Sequence, residues 1–91
     1  MNCRAEIIAE GLVQGVGFRY FVYRKATELK LKGYVKNLYS GEVITVVEGE
    51  KNIIENLFTE IKIGPQHSMV RNCTIAWVSY NSEFTHFEIR H

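Results

Sequence analysis

Gly11, Gly15 and Gly17 divide an alternating apolar segment from a helical one, and this break constrains the fold more than any other feature of the chain. The segment runs Gly11-Leu12-Val13-Gln14-Gly15-Val16-Gly17-Phe18-Arg19, holds no acidic residue and closes on an arginine. Glycines let a backbone curl until successive N–H groups point into one concavity. The start of the following helix adds partial positive charge there. Arg19 supplies a planar fork of donors suited to phosphate or carboxylate. On residues alone the segment is either an anion cradle, best suited to phosphate, or a plain tight turn between strand and helix. Its spacing matches neither G-x-x-x-x-G-K-[ST] nor G-x-G-x-x-G, because Tyr20 stands where the latter needs its last glycine.

The remaining elements follow from hydrophobic period. Residues 3–10 alternate, with Ala5, Ile7 and Ala9 on one face and Arg4, Glu6 and Glu10 on the other, which predicts a strand. Val22, Ala26 and Leu29 recur at helical spacing over 19–31, with Arg24 and Glu28 as an i,i+4 pair and Gly33 at the helix end. Tyr34–Asn37 is a short expected strand, Tyr39-Ser40-Gly41 a hairpin turn and Glu42–Glu48 a β-branched strand broken by Gly49. Ile54, Leu57, Phe58 and Ile61 mark a second helix over about 51–63, stopped by Gly64-Pro65. A polar loop leads to Ser68, and Met69–Tyr80 and Phe84–Arg90 read as two more strands. The order βαββαβ with a trailing strand predicts an α+β sandwich of ferredoxin-like topology, both helices on one face of a mostly antiparallel sheet.

Ninety-one residues, 46% hydrophobic and 23% charged, are expected to form a single domain over 1–91 with one core. A net charge of +1 gives no global field for nucleic acid or membrane surfaces, so any anion affinity must be local. No apolar run reaches membrane-span length and the N-terminus lacks a signal-peptide layout, so a cytoplasmic location is expected, and small size with low charge points to a monomer. Cys3 and Cys73 have no metal-ligand spacing. They could meet only if their strands pair, and are expected as reduced thiols.

The run over 11–19 closely resembles the signature of the acylphosphatase family. So does Leu29-Lys30-Leu31-Lys32-Gly33-Tyr34-Val35-Lys36-Asn37 with Ser40-Gly41 and Val43 after it, at the family's separation, and Phe87-Glu88-Ile89-Arg90 is similar to the family's ending. The resemblance covers essentially the whole chain and implies the same fold. It departs at Lys30, where a glycine is usual, at Ser40, where an aspartate is usual, and at Gln66, where a second proline is frequent. It implies hydrolysis of the carboxyl-phosphate bond of small acyl phosphates, giving carboxylate and inorganic phosphate by direct attack of water. The backbone amides of Gly15, Val16, Gly17, Phe18, Arg19 and Tyr20, with the Arg19 side chain, would bind the phosphoryl oxygens. The Asn37 amide would orient the water. No cofactor or metal is expected.

Topology is consistent with those roles. A right-handed βαβ unit makes the first two strands parallel, so the cradle and Asn37 leave the same end of the sheet, about 10 Å apart if one strand intervenes. The chain lacks a cradle cysteine, a nearby His/Asp pair or a metal cluster, and His67, His86 and His91 are expected at the surface. Two alternatives remain. A ferredoxin-like binding module would need stacking aromatics on its central strands or paired thiols, and Tyr34 and Tyr39 are poorly suited. A carbamoyl-phosphate-handling module of a larger protein would share the signature.

Overall fold

In the computed structural model, which describes residues 1–91, strands β1 (Asn2–Leu12), β2 (Lys32–Asn37), β3 (Val43–Glu50), β4 (Met69–Val78) and β5 (Phe87–Arg90) form one sheet. Helices α1 (Phe18–Glu28) and α2 (Lys51–Ile63) complete the chain. The strand order is β4-β1-β3-β2-β5. β3 lies antiparallel between β1 and β2, which are therefore parallel to each other, and β5 adds parallel to β2. The expected ferredoxin-like sandwich is the observed one.

Both helices cover one face, α1 over β2 and β5 and α2 over β1, β3 and β4. Ala5, Ile7 and Ala9 point into that layer, as their alternation predicts, and meet Val22, Ala26, Ile54, Leu57 and Ile61 in one buried cluster. Burying each of the valine, isoleucine and leucine side chains among them contributes roughly 1.5–3 kcal/mol. No helix is long and apolar enough to cross a membrane.

Several boundaries differ from the sequence reading. α1 ends at Glu28, three residues early, because Lys30 takes a left-handed conformation (φ 60°). The amides of Lys30 and Leu31 then donate back to Thr27 O (3.0 Å) and Ala26 O (2.9 Å), closing a Schellman motif. Gly33 does not end the helix. It lies inside β2 at φ 144°, and a Cβ there would collide with the Val46 carbonyl of β3. Gly49 does not break β3 either, since pairing with β1 continues through it to Glu50. Arg24 and Glu28 form no ion pair; Lys25 instead reaches Glu60 of α2 at 3.7 Å.

The chain between β4 and β5 is a strap. β4 stops at Val78 and β5 starts at Phe87, so residues 79–86 cross the sheet face opposite the helices. The Glu48 carboxylate, buried on central β3, accepts the amides of Asn81 and Glu83 at 3.0 Å each. Arg4 bridges Glu48 (3.4 Å) and Glu83 (2.7 Å), and Phe84 sits edge-on to Tyr34. The strap residues that make these contacts lie outside both β4 and β5, which are therefore shorter than the expected ranges. Cys3 and Cys73 are free. β1 and β4 do pair, but Cys73 faces Ala9, six residues or about 20 Å along β1 from Cys3, beyond disulfide reach.

Candidate functional site

β1 ends at Leu12, and the loop to α1 carries Gly15 and Gly17, both at φ 76°. Side-chain-bearing residues rarely adopt that conformation, and a Cβ at either position would meet nothing within 4 Å. Glycine is thus required by the backbone curl, and open space lies over the loop. Gly17 is the N-cap of α1, with no side-chain cap and no acidic residue in the first turn. The first helical bond runs from Phe21 N–H to Gly17 O (3.0 Å), so the amides of Phe18, Arg19 and Tyr20 have no partner within the helix. None of the loop hydrogen bonds uses the amides of Gly15, Val16 or Gly17. Six consecutive N–H groups are left without a hydrogen-bond partner, with nothing acidic in the first turn to compensate the helix dipole.

Arg19 leans from α1 towards the end of β5. Its Nη1 donates to the Arg90 carbonyl at 3.1 Å and lies 3.2 Å from His91 Nδ1. Nε and Nη2 remain as a free fork, and no carboxylate pairs with the guanidinium. Asn37, the last residue of β2, lies opposite Val43. Its Oδ1 is buried without any hydrogen-bond partner.

These groups share one cleft of about 330 Å3, lined by Val13, Gly15, Gly17, Phe18, Arg19, Tyr20, Asn37, Ile89 and His91. Every residue singled out from the sequence lines it except Val16, whose side chain turns inward against the core. Phe18 is buried and anchors the first turn of α1, while Tyr20 is exposed at the rim. The sequence reading put His91 at the surface. It is exposed there, yet it directly follows Arg90, which pairs with Lys36, and so lines the same cleft as Asn37. That placement depends on a parallel pairing at the far sheet edge, which no local pattern announces.

Gln14 was the other omission. Its Nε2 donates to the carbonyls of Leu38 (2.8 Å) and Glu42 (2.9 Å), tying the cradle loop to the β2–β3 turn. A second cleft, about 380 Å3, lies at the far end of the sheet between Lys30, Lys32, Glu50 and Tyr80, and includes none of these groups. No three His, Cys, Asp or Glu side chains are grouped so as to hold a metal ion. The Cys73 thiol, pushed up to about 11 by burial, is no nucleophile at neutral pH.

A sequence model of the acylphosphatase family matches residues 5–89. The acylphosphatase of Caldanaerobacter subterraneus subsp. tengcongensis is 44% identical over 79 residues, which cover 87% of this chain and 88% of that protein. The crystal structure of acylphosphatase from Bacillus subtilis superposes with a TM-score of 0.93 at 35% identity over the whole of both chains. The full-length HypF structure, in a phosphate- and nucleotide-bound form, also superposes (TM-score 0.92, 37% identity), but this chain covers only 12% of it. By sequence and by fold alike, the chain belongs to the acylphosphatase family.

Proposed function

We propose that the phosphoryl group of an acyl phosphate sits in the Gly15–Tyr20 cradle against the free Nε–Nη2 edge of Arg19, and that Asn37 orients the water that attacks it. The observation that carries this reading is the orphaned Oδ1 of Asn37, a buried acceptor on a residue that lines the cleft with the cradle. A buried acceptor without a partner costs about 1–3 kcal/mol, and a water donating to it would recover that cost. Water attacks phosphorus, the P–O bond to the acyl group breaks, and its electron pair leaves on the carboxylate oxygen. The water's proton passes to a phosphoryl oxygen, giving carboxylate and inorganic phosphate.

Leaving-group chemistry explains why so little machinery is needed. A carboxylate has a pKa near 4 and departs without a general acid. Phosphoryl transfer is loose, so catalysis rests on position and on charge placed around the equatorial oxygens. Amides and one arginine supply both, and metal-independent turnover follows. All the groups invoked come from one chain, so a monomer suffices.

Phosphate release from benzoyl phosphate tests the reading. The protein is expected to hydrolyse it at the same rate with or without EDTA, with competitive inhibition by inorganic phosphate. Arg19→Lys should lower kcat/KM by about two orders of magnitude, because a point charge cannot reproduce the fork. Near-normal activity in Arg19→Lys contradicts the bidentate assignment, and silencing by EDTA with rescue by magnesium contradicts the metal-free mechanism.

A further inference from the structure

The cradle and Asn37 belong to separate pieces of chain. The cradle leaves β1, whereas Asn37 ends β2 and is followed at once by the 38–42 turn. β3 separates the two strands in the sheet, so no β1–β2 hydrogen bond sets their spacing. Within the turn, Leu38 N–H donates to Glu42 O (2.8 Å) and Gly41 N–H to Leu38 O (3.1 Å). Each of these two carbonyls therefore has one partner inside the turn and one acceptor site left over. The half-buried Gln14 amide fills both, at 2.8 and 2.9 Å. Gln14 adjoins Gly15, the first cradle residue, and Leu38 adjoins Asn37, so the tether joins the two halves of the site one residue from each.

We propose that Gln14 is a positioning residue that sets where Asn37 Oδ1 stands relative to a phosphoryl group in the cradle. This rests on the water-orienting reading of Asn37 given above. Gln14 donates into the turn and does not line the cradle cleft, so its loss is expected to leave the cradle amides and Arg19 in place. What moves is the turn, and with it the acceptor that aims the water. A displacement of about 1 Å at a reacting group can cost up to about a hundredfold in rate. The geometry therefore separates kcat from phosphate affinity.

A double-mutant cycle with Asn37 tests this on the whole protein. Gln14→Met keeps an unbranched side chain of similar length but removes both donors. Gln14→Asn keeps the amide and withdraws it by one methylene, as a second variant should the first fold poorly. Either is expected to lower kcat for benzoyl phosphate about tenfold or more, with the inhibition constant of inorganic phosphate within about twofold of wild type. In an Asn37→Ala background the same change should lower kcat less than twofold further, because the group it positions is gone. Equal losses in both backgrounds, an unchanged kcat in the single variants, or a parallel loss of phosphate affinity would each overturn the proposal. If Asn37→Ala itself turns over normally, the water-orienting reading fails, and that result is separate from additivity in the cycle.

Discussion

Two side-chain oxygens in this protein are buried without a partner, Asn37 Oδ1 and Thr45 Oγ1, and their surroundings give them opposite meanings. Asn37 lines the cleft that holds the cradle, and we propose that a bound water completes its oxygen there. Thr45 lies in mid-β3 between its cross-strand partners Ile7 and Val35, all three fully buried. Thr45→Val keeps the branched shape and removes the orphan, so we expect it to stabilise the fold by about 1 kcal/mol. That raises Tm by about 4–8 °C for a chain of this size, with kcat unchanged. A lower Tm on thermal denaturation would show that the hydroxyl has a partner after all. Sequence could not distinguish these two positions, because burial and partnership are set by neighbouring strands. Arg19 was legible from its place after the glycines, whereas its contacts with Arg90 and His91 cross more than 70 residues of chain.

At the scale of elements, α2 was read at its observed limits because Gly64-Pro65 follows its apolar stripe and Gly64 serves as C-cap at φ 73°. α1 was read too long because its stop signal is a lysine. The Schellman turn at Lys30 holds an L-residue in a left-handed conformation, which costs roughly 1–2 kcal/mol relative to the right-handed one. Lys30→Gly relieves this while making the unfolded chain more flexible, so the expected net gain is about 0.5–1 kcal/mol, read as a higher denaturation midpoint. A lower midpoint would mean that the Lys30 side chain contributes more than its backbone costs. Gly33 and Gly49 were misread for a related reason. Each looks like a breaker in sequence, but each sits in a strand where another group approaches closely: Val46 at Gly33, the Leu31 side chain at Gly49. Period and punctuation located the elements; which glycines end them depends on what packs against them.

Across the whole molecule, the two ends of the sheet carry different tasks. One end holds the cleft with the cradle, Arg19 and Asn37; the opposite face is closed by the strap over Glu48. Burial pushes the Glu48 carboxyl up, but the amides of Asn81, Glu83 and Phe84, with Arg4, outweigh it and hold the group below the usual carboxylate value. A lowered folded-state pKa stabilises the native state above the unfolded value, near 4.5, and that stability is lost as pH falls through the folded value. Glu48→Gln should therefore lower Tm at pH 7, and the gap to wild type should narrow as pH falls below about 4.5. A gap that stays undiminished as pH falls below the unfolded value would show that the Glu48 charge does not hold the strap. We propose that an anion binds at the cleft end, on the Gly15–Tyr20 amides. Titrating inorganic phosphate into 15N-labelled protein and following every backbone amide by NMR tests it most directly. The predicted result is saturable shifts concentrated at Gly15 to Tyr20 and at Asn37, with Lys30, Lys32 and Tyr80 at the far cleft unmoved. Saturable shifts confined to that far cleft, or none at the six cradle amides, would contradict it.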